Sequence, residues 1–276
     1  LEEAYEDIDY ISLHRYYSYN PDTGMYAMNT DTLENIAHLP IDIGDYIDTI
    51  MAASRFVQGK KRCRKPVYIS FDEWGILSSK KFDREKYPQW TEICEDEGSS
   101  TALDAVLHGA FMITMLNKCD VVKVACESIV IGSMIMADPE GKCFRQTTFY
   151  PFRDVAQLGK GIVLKQFSEG PMEDAGKYGE LPAIQSAVIY NDEKKEIVVF
   201  AVNFSKKKEI PFEIFMQEFG EIECIEYRQL YEKEAFAGNT FRNPFRVVPH
   251  LLEVDKEQKC FLLPPLSWNV IRFELK

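Results

Sequence analysis

The order of predicted strands and helices changes once along the chain, and this change constrains the fold more than any other feature. Up to about residue 166, short apolar runs of the strand type alternate with stretches of helical spacing. From about residue 183 onward, short strands follow one another with no helical pattern between them. Alternating strands and helices indicate a parallel α/β sheet, whereas strands separated only by turns indicate an all-β sandwich. The sequence therefore predicts an α/β region followed by an all-β region.

The first region contains three candidate strands and two candidate helices. The strand candidates are residues 8–13, 67–71 and 121–125, which are rich in β-branched and aromatic side chains. The helix candidates are residues 42–56, with apolar side chains close to helical spacing, and residues 99–116, which are largely apolar. In parallel α/β folds the chemistry collects at the carboxyl ends of the strands. Site residues are therefore expected just after each strand.

The second region contains five predicted short strands separated by turns. A stretch with several Gly and Pro residues, 167–182, precedes them and is typical of a linker between domains. The predicted organisation is residues 1–166 as one domain, 167–182 as the linker and 183–276 as a β-sandwich. The predicted strands of the sandwich are residues 183–190, 196–203, 222–230, 259–263 and 269–275.

The charge balance of the chain argues against two classes of partner. The 276 residues include 32 Lys and Arg against 44 Asp and Glu, which gives a net charge of −12 at pH 7. A field of that sign repels phosphate backbones and anionic lipids, so neither nucleic acid nor a membrane surface is expected as a partner. No apolar run reaches the roughly 20 residues that cross a bilayer, and no signal-peptide pattern opens the chain.

The spacing of cysteine and histidine gives no support for a metal or cofactor site. The seven cysteines form an odd set without CxxC spacing, which favours reduced thiols in the cytoplasm over disulfides or zinc ligands. His38, His108 and His250 lack the spacing of metal ligands and are expected to be structural. Neither a phosphate-binding glycine loop nor a Gly-x-Ser-x-Gly sequence is present, so no cofactor is expected.

Glu73 is the best candidate for a catalytic residue. It follows the predicted strand 67–71 and stands between Asp72 and Trp74. A carboxylate can attack or stabilise the oxocarbenium-like centre of glycoside hydrolysis, and an indole ring can stack on a sugar. Taken alone, however, the local pattern favours a simpler alternative, in which Asp72 and Glu73 are a solvated pair in a loop.

His14 and Tyr16 follow the first predicted strand and are two residues apart. On an extended segment such side chains point the same way. They could bind sugar hydroxyls or orient a carboxylate. The alternative, a structural histidine beside a packed tyrosine, is equally consistent with the local pattern.

Six short blocks of the sequence carry a further signal. They are YISLHRYY at 10–17, ISFDEW at 69–74, DVVKVA at 120–125, RQTTFYPF at 145–152, VVPH at 247–250 and LSWNVIR at 266–272. In this order and spacing they resemble the carboxyl-terminal part of the α-L-arabinofuranosidases of glycoside hydrolase family 51. The resemblance runs from about residue 8 to the end of the chain.

The resemblance implies a (β/α)8 barrel with a retaining catalytic site, followed by a C-terminal β-sandwich. It assigns the nucleophile to Glu73 at the end of the seventh barrel strand, and it assigns the sugar pocket to His14 and Tyr16 at the end of the sixth. Trp74 is expected to offer a ring face to the sugar. The implied substrate is an arabinose-containing oligosaccharide or polysaccharide, and neither a metal nor an organic cofactor is implied.

The chain also departs from the family pattern. The family's acid/base glutamate ends the fourth barrel strand, and by the resemblance this chain starts just before the sixth, so that residue is expected to be absent. After the eighth strand the chain has Ile129 and Gly132 where the family has Gln and Asn. Gly75 stands where the family has Asn after the nucleophile block.

Three interpretations follow from the match and its departures. The chain is expected to be the last strand–helix units of an arabinofuranosidase barrel with its sandwich, inactive by itself. It would then associate with the missing amino-terminal half or with copies of itself. The alternatives are a non-catalytic carbohydrate-binding or assembly module, and a retaining glycosidase with a different specificity.

Overall fold

The structure, a computed structural model, describes residues 1–17, 33–76, 100–127, 130–138 and 140–276. Residues 77–99, which follow the β-strand residues of the ISFDEW block, lie outside these ranges, as does Ile129. Within the described ranges, no helix has both the length and the apolar character needed to cross a membrane.

The first region forms a three-stranded parallel sheet with the order β1-β2-β3. All three predicted strands and both predicted helices are present, in the predicted alternation. Each helix follows a strand in the chain and packs beside the other helix on one side of the sheet. The elements are β1 (Tyr10–Tyr17), α1 (Leu39–Lys61), β2 (Tyr68–Ile76), α2 (Ala102–Asn117) and β3 (Val122–Ala125), with a 3-10 turn at Leu33–His38 before α1.

Short elements connect this sheet to the second region. The predicted linker, residues 167–182, contains a β-hairpin, and the Tyr178 hydroxyl at its tip donates a 3.0 Å hydrogen bond to Asp42 of α1. The linker therefore packs against the first region. The connecting elements are α3 (Val130–Ser133, a single distorted turn), β4 (Ile135–Ala137), β5 (Cys143–Arg145), α4 (Phe149–Leu158), β6 (Ile162–Leu164), β7 (Met172–Asp174), a 3-10 turn (Gly176–Tyr178) and β8 (Glu180–Pro182).

The second region contains a six-stranded antiparallel sheet with the order β13-β12-β15-β10-β9-β6 and a two-stranded sheet of β11 and β14. All five predicted strands are present. Strand β6, which precedes the predicted linker, pairs with β9 and so belongs to this sheet. The strands are β9 (Ile184–Asn191), β10 (Glu196–Asn203), β11 (Ile210–Glu213), β12 (Ile222–Leu230), β13 (His250–Leu252), β14 (Cys260–Leu263) and β15 (Ser267–Leu275), with a 3-10 turn at Gln217–Phe219.

Strand β10 shows how both faces of the large sheet are buried. Because side chains alternate along a strand, Val198, Phe200 and Val202 enter a core shared with α2. Ile197 and Val199 enter a second core under the β11–β14 sheet. The near-continuous apolar run of this strand is the sequence pattern of a strand covered on both sides.

Helix α2 joins the two regions because it lies between their sheets. It contacts β2 and β3 on one side and β9, β10 and β15 on the other, which explains why it is apolar nearly all round. At Gly109 the approach is so close that a Cβ atom would lie 2.3 Å from the Trp268 ring. The helix starts after Thr101, whose hydroxyl and the carboxylate of Asp104 form a reciprocal capping box.

Candidate active site

A β-bulge at Asp72 determines which side chains reach the surface of the parallel sheet. Leu13 pairs with Phe71 and His14 pairs with Glu73, so Asp72 is an extra residue in β2. One extra residue reverses the alternation beyond it. Asp72 and Glu73 therefore both point to the face opposite the helices, which we call the open face. The sequence predicted that this strand ends at Phe71, whereas the structure continues it through the bulge.

The open face brings Glu73 together with both of its predicted neighbours. The Tyr16 hydroxyl donates a 3.3 Å hydrogen bond to Glu73 Oε2, and His14 Nδ1 lies 3.4 Å from the same oxygen. On its other side His14 Nε2 lies 3.7 Å from Asp72 Oδ1. That oxygen accepts a 2.8 Å hydrogen bond from the Ser12 hydroxyl. These five side chains form one polar cluster at the carboxyl end of the sheet.

Sequence reasoning did not assign a role to Ser12 or Asp72. Ser12 lies two residues before His14 on the same strand, and this spacing could have placed it on the same face. Asp72 could not have been placed, because its neighbour Glu73 would point to the opposite face in a regular strand. Only the bulge puts both carboxylates on one surface.

Trp74 does not lie in this cluster, in contrast to the expectation of a sugar-stacking ring. Its side chain is in the core, 1% exposed. Its ring centroid is 4.5 Å from that of His108 and 6.5 Å from that of Phe111 in an edge-on arrangement. The bulge that turns Glu73 to the open face turns Trp74 towards α2. The ring therefore stabilises the strand end that carries Glu73.

A second carboxylate, Glu127, lies behind the cluster and was not singled out from the sequence. Its side chain is 4% exposed, and Oε2 is 3.2 Å from His108 Nε2. The Ser133 hydroxyl donates a 2.7 Å hydrogen bond to its other oxygen, Oε1. A Cβ atom on Gly75 would lie 3.7 Å from that same Oε1. Glu127 and His108 thus form a buried pair that adjoins the end of β2.

The opposite face of β1 is held by the buried carboxylate of Asp42. Arg15 Nη2 and the Tyr17 hydroxyl each donate a 2.7 Å hydrogen bond to Asp42 Oδ2. Burial by itself would raise the pKa of Asp42, but the hydrogen bonds from Tyr17 and Arg15 outweigh it and hold the pKa below its ordinary value. With Arg15 and Tyr17 fixed on this side, the alternate residues His14 and Tyr16 are fixed on the open face.

Two of the three positions that depart from the family pattern lie within the described residues. Gly75 has a φ of +152° and Gly132 a φ of +100°, values that favour glycine over other residues. Ile129 lies outside the described residues. In the described ranges, no group of three or more His, Cys, Asp or Glu side chains could hold a metal ion.

Comparison with known sequences finds a set of related proteins. Residues 72–267 match the family described as the alpha-L-arabinofuranosidase C-terminal domain. The chain is 32% identical over 281 residues to an intracellular exo-α-(1→5)-L-arabinofuranosidase of Streptomyces lividans, in a match that covers 99% of this chain and 41% of that protein. It is 31% identical over 288 residues to an exo-α-(1→6)-L-arabinofuranosidase of Bifidobacterium longum, covering 98% of this chain and 53% of that protein. The chain spans about half the length of the curated relatives it matches.

Comparison with solved structures finds similar folds in proteins of the same kind. AbfB, a family 51 α-L-arabinofuranosidase from Bifidobacterium longum, superposes with a TM-score of 0.84 at 27% identity, covering 99% of this chain and 55% of that one. The family 51 arabinofuranosidase from Xanthomonas axonopodis pv. citri superposes with a TM-score of 0.75 at 16% identity, covering 99% of this chain and 55% of that one. At such low identity the second match is a statement about the fold alone.

Proposed function

The chain belongs to the α-L-arabinofuranosidases of glycoside hydrolase family 51 and forms a carboxyl-terminal portion of such a protein; from this premise we propose that it supplies the nucleophile of a retaining arabinofuranosidase. The observation that carries the proposal is the setting of Glu73. Its carboxylate lies on the open face, 44% exposed, within 3.3 Å of the Tyr16 hydroxyl and 3.4 Å of His14. An accessible carboxylate held by a donor is what a glycosyl-forming nucleophile requires.

In this mechanism Glu73 attacks the anomeric carbon of a terminal arabinofuranosyl unit. A carbon–oxygen bond to Glu73 forms while the glycosidic bond breaks, and the departing oxygen takes a proton from a second carboxylic acid. That acid is expected about 5–5.5 Å from Glu73, as in retaining enzymes generally, and on a segment that precedes this chain. Water, deprotonated by the same group, then releases the sugar. Tyr16 orients Glu73, and His14 lines the pocket.

We infer that the parallel sheet is the last part of a (β/α)8 barrel. On the open face the side chains of His14, Asp72 and Glu73 are 40–51% exposed, and within the described ranges the outer edges of β1 and β3 are unpaired. When a sheet closes into a barrel, its edge strands become paired and one of its faces becomes enclosed. Residues 1–166 would then contribute the end of the barrel, 167–182 the linker and 183–276 the β-sandwich, with β6 added to its sheet.

The partner implied by this arrangement is the other half of the barrel. A cavity of about 990 Å³ between the linker and β11 is lined in part by Phe167 and Phe215, which are 91% and 77% exposed. Two exposed aromatic rings beside one cavity favour burial by further chain. We propose association with an amino-terminal half, and self-association as the alternative.

The substrate and location follow from the relatives by analogy. Two of them are named for exo-action on α-(1→5) and α-(1→6) linkages of L-arabinofuranose. We propose terminal arabinofuranosyl units of arabinose-containing oligosaccharides or polysaccharides as the substrate. The Streptomyces protein is named intracellular, which supports a cytoplasmic location for this one.

A non-catalytic carbohydrate-binding or assembly module is the second candidate. It is favoured by the changed pocket positions Gly75, Ile129 and Gly132. A protein of this class would bind arabino-oligosaccharides without cleaving them. The two candidates therefore differ in turnover and not in fold.

To test the proposal, the protein encoded by the complete open reading frame that contains this chain is expressed, and its hydrolysis of 4-nitrophenyl α-L-arabinofuranoside is measured. Glu73→Gln should lower kcat by at least about 10³-fold, since the nucleophile is lost. Asp9→Asn, a change at an exposed residue outside the cluster, is the matched control. Mapping of a trapped glycosyl-enzyme should locate the sugar on Glu73. Unchanged activity of Glu73→Gln would remove Glu73 as nucleophile, and an inactive but sugar-binding wild type would favour the module.

A further inference from the structure

Asp72 has no part in the proposed chemistry, yet the bulge in β2 places it beside the nucleophile. Its oxygen Oδ1 accepts the 2.8 Å hydrogen bond from Ser12 and lies 3.7 Å from His14 Nε2. A regular strand would put only one of the two neighbouring carboxylates on the open face. Bulges are common next to active sites, where they redirect a side chain. The presence of Asp72 on this face therefore needs an explanation of its own.

The two carboxylates are directed to opposite ends of the cluster. Glu73 contacts Tyr16, which is nearer the carboxyl end of β1, where a substrate would enter. Asp72 contacts Ser12, four residues earlier on the same strand. Asp72 is therefore directed to the end of the cluster opposite Glu73's contact with Tyr16, and its partners are the protein groups Ser12 and His14.

The ring of His14 lies between these carboxylates. Its Nδ1 faces Glu73 Oε2 at 3.4 Å, and its Nε2 faces Ser12 Oγ at 3.4 Å and Asp72 Oδ1 at 3.7 Å. The side chain is 51% exposed, so few packing contacts prevent its rotation. The group that faces one imidazole nitrogen fixes the ring orientation and decides what the other nitrogen can do. For His14, the groups that face one nitrogen, Nε2, are Asp72 and Ser12.

We propose that Asp72, together with Ser12, is a positioning residue that fixes the His14 ring with Nδ1 towards Glu73. Asp72 acts through His14 and touches neither substrate nor reacting atom. The structural part of the proposal stands on the contacts alone. The kinetic part is that Glu73 is positioned less accurately when Asp72 is changed. This part rests on the proposed function.

The first experiment needs no enzymatic activity. The 276-residue chain contains four histidines, so histidine-ring ¹H–¹⁵N correlation spectra of the ¹⁵N-labelled chain contain signals from four rings. The signals that disappear in His14→Gln are those of His14. Asp72→Asn should shift the His14 ring nitrogens while leaving His38, His108 and His250 in place, which also shows that the fold is intact. Ser12→Ala should shift the same ring, and the control Asp9→Asn should not. An unmoved His14 ring in Asp72→Asn overturns the proposal, and Ser12→Ala decides it in the same way if Asp72→Asn does not fold.

The second experiment measures 4-nitrophenyl α-L-arabinofuranoside hydrolysis by the complete open reading frame. Asp72→Asn should lower kcat by about tenfold and change KM by less than about twofold, because a misplaced catalytic group affects the chemical step more than binding. Asp72→Glu, which keeps the carboxylate, should recover part of the loss. Full activity of Asp72→Asn in an active wild type would overturn the kinetic role. An inactive wild type would overturn the proposed function, while the shifts of the His14 ring would still test the contacts.

Discussion

The two large sheets of this protein reverse the usual relation between strand direction and burial. Parallel sheets are normally covered on both faces, and antiparallel sheets often leave one face to water. Here the antiparallel sheet has an apolar core on each face, whereas the parallel sheet has helices on one face and a polar, exposed cluster on the other. The candidate catalytic and sugar-binding residues all lie on the parallel sheet, and none lies on the antiparallel sheet. An uncovered parallel sheet is thus the expected location both of the site and of contacts with further chain.

The difference predicts where substitutions cost stability and where they cost only function. Truncating side chains in the cores next to α2 and within the antiparallel sheet should lower the free energy of unfolding strongly. Truncating side chains on the open face should change it little, because water already solvates them in the folded state. The following predictions test this contrast in the order of the expected effect, with urea unfolding of the 276-residue chain as the common measurement.

Trp268→Ala should have the largest effect, about 3–5 kcal/mol of destabilisation. The ring stacks on Phe200 with centroids 5.6 Å apart, and its Nε1 donates a 3.1 Å hydrogen bond to the buried Asp154. The change would leave a cavity between α2 and the antiparallel sheet and an unpaired acceptor. Phe215→Ala, at a ring that is 77% exposed, is the matched control and should cost less than about 0.5 kcal/mol. Equal costs for the two variants would contradict the assigned core.

Glu127→Leu should destabilise the protein by about 2–3 kcal/mol, because it removes the polar group beside the buried His108 ring and the acceptor of the Ser133 hydroxyl. The double variant Glu127→Leu/His108→Leu should recover much of that loss, since replacing both partners of a buried pair is often neutral or stabilising. The comparison of single and double variants in a mutant cycle measures the coupling. Additive losses would show that the two side chains, 3.2 Å apart, do not depend on each other.

Asp42→Asn should cost about 1.5–3 kcal/mol at pH 7, in the range of hydrogen bonds to a charged group. The pKa of Asp42 is lower in the folded state, so its stabilising effect is present above the unfolded value of about 3.9. The effect is lost as the pH falls through the folded pKa. The difference in unfolding free energy between wild type and Asp42→Asn should therefore shrink below about pH 4. A difference that stays constant from pH 7 to pH 3 would contradict the role assigned to the Tyr17 and Arg15 hydrogen bonds.

The contrast between the sheets also explains what the sequence could predict. The strand over residues 196–203 was predicted at its observed bounds, because an apolar run between turns leaves few alternatives for a strand buried on both faces. The open face was less predictable. Glu73 and Tyr16 were candidates because each follows a predicted strand, but the local pattern left simpler alternatives open, and only the family resemblance assigned their roles.

Apart from Ser12, the remaining site residues could not be placed because their positions depend on tertiary structure. The bulge at Asp72 is a property of the pairing between two strands, and it decides that Trp74 points inward. The pairing of Glu127 with His108 depends on how α2 packs against the end of β3. Neither feature has a local sequence pattern that would reveal it.

The smallest effect on stability is expected for the residue with the largest proposed effect on function. Glu73 is 44% exposed, and its contacts with Tyr16 and His14 are long, at 3.3 and 3.4 Å. Glu73→Gln keeps the size of the side chain and one carbonyl acceptor, and it removes a negative charge that lies next to Asp72. The free energy of unfolding should therefore change by less than about 0.5 kcal/mol, as for other surface substitutions, while arabinofuranoside hydrolysis by the complete open reading frame falls by at least about 10³-fold. A small gain in stability would agree with the rule that active sites are not optimised for stability. A loss above about 2 kcal/mol, a size reserved for core or network defects, would show that the open face holds the fold together, and the contrast between the two sheets would fail.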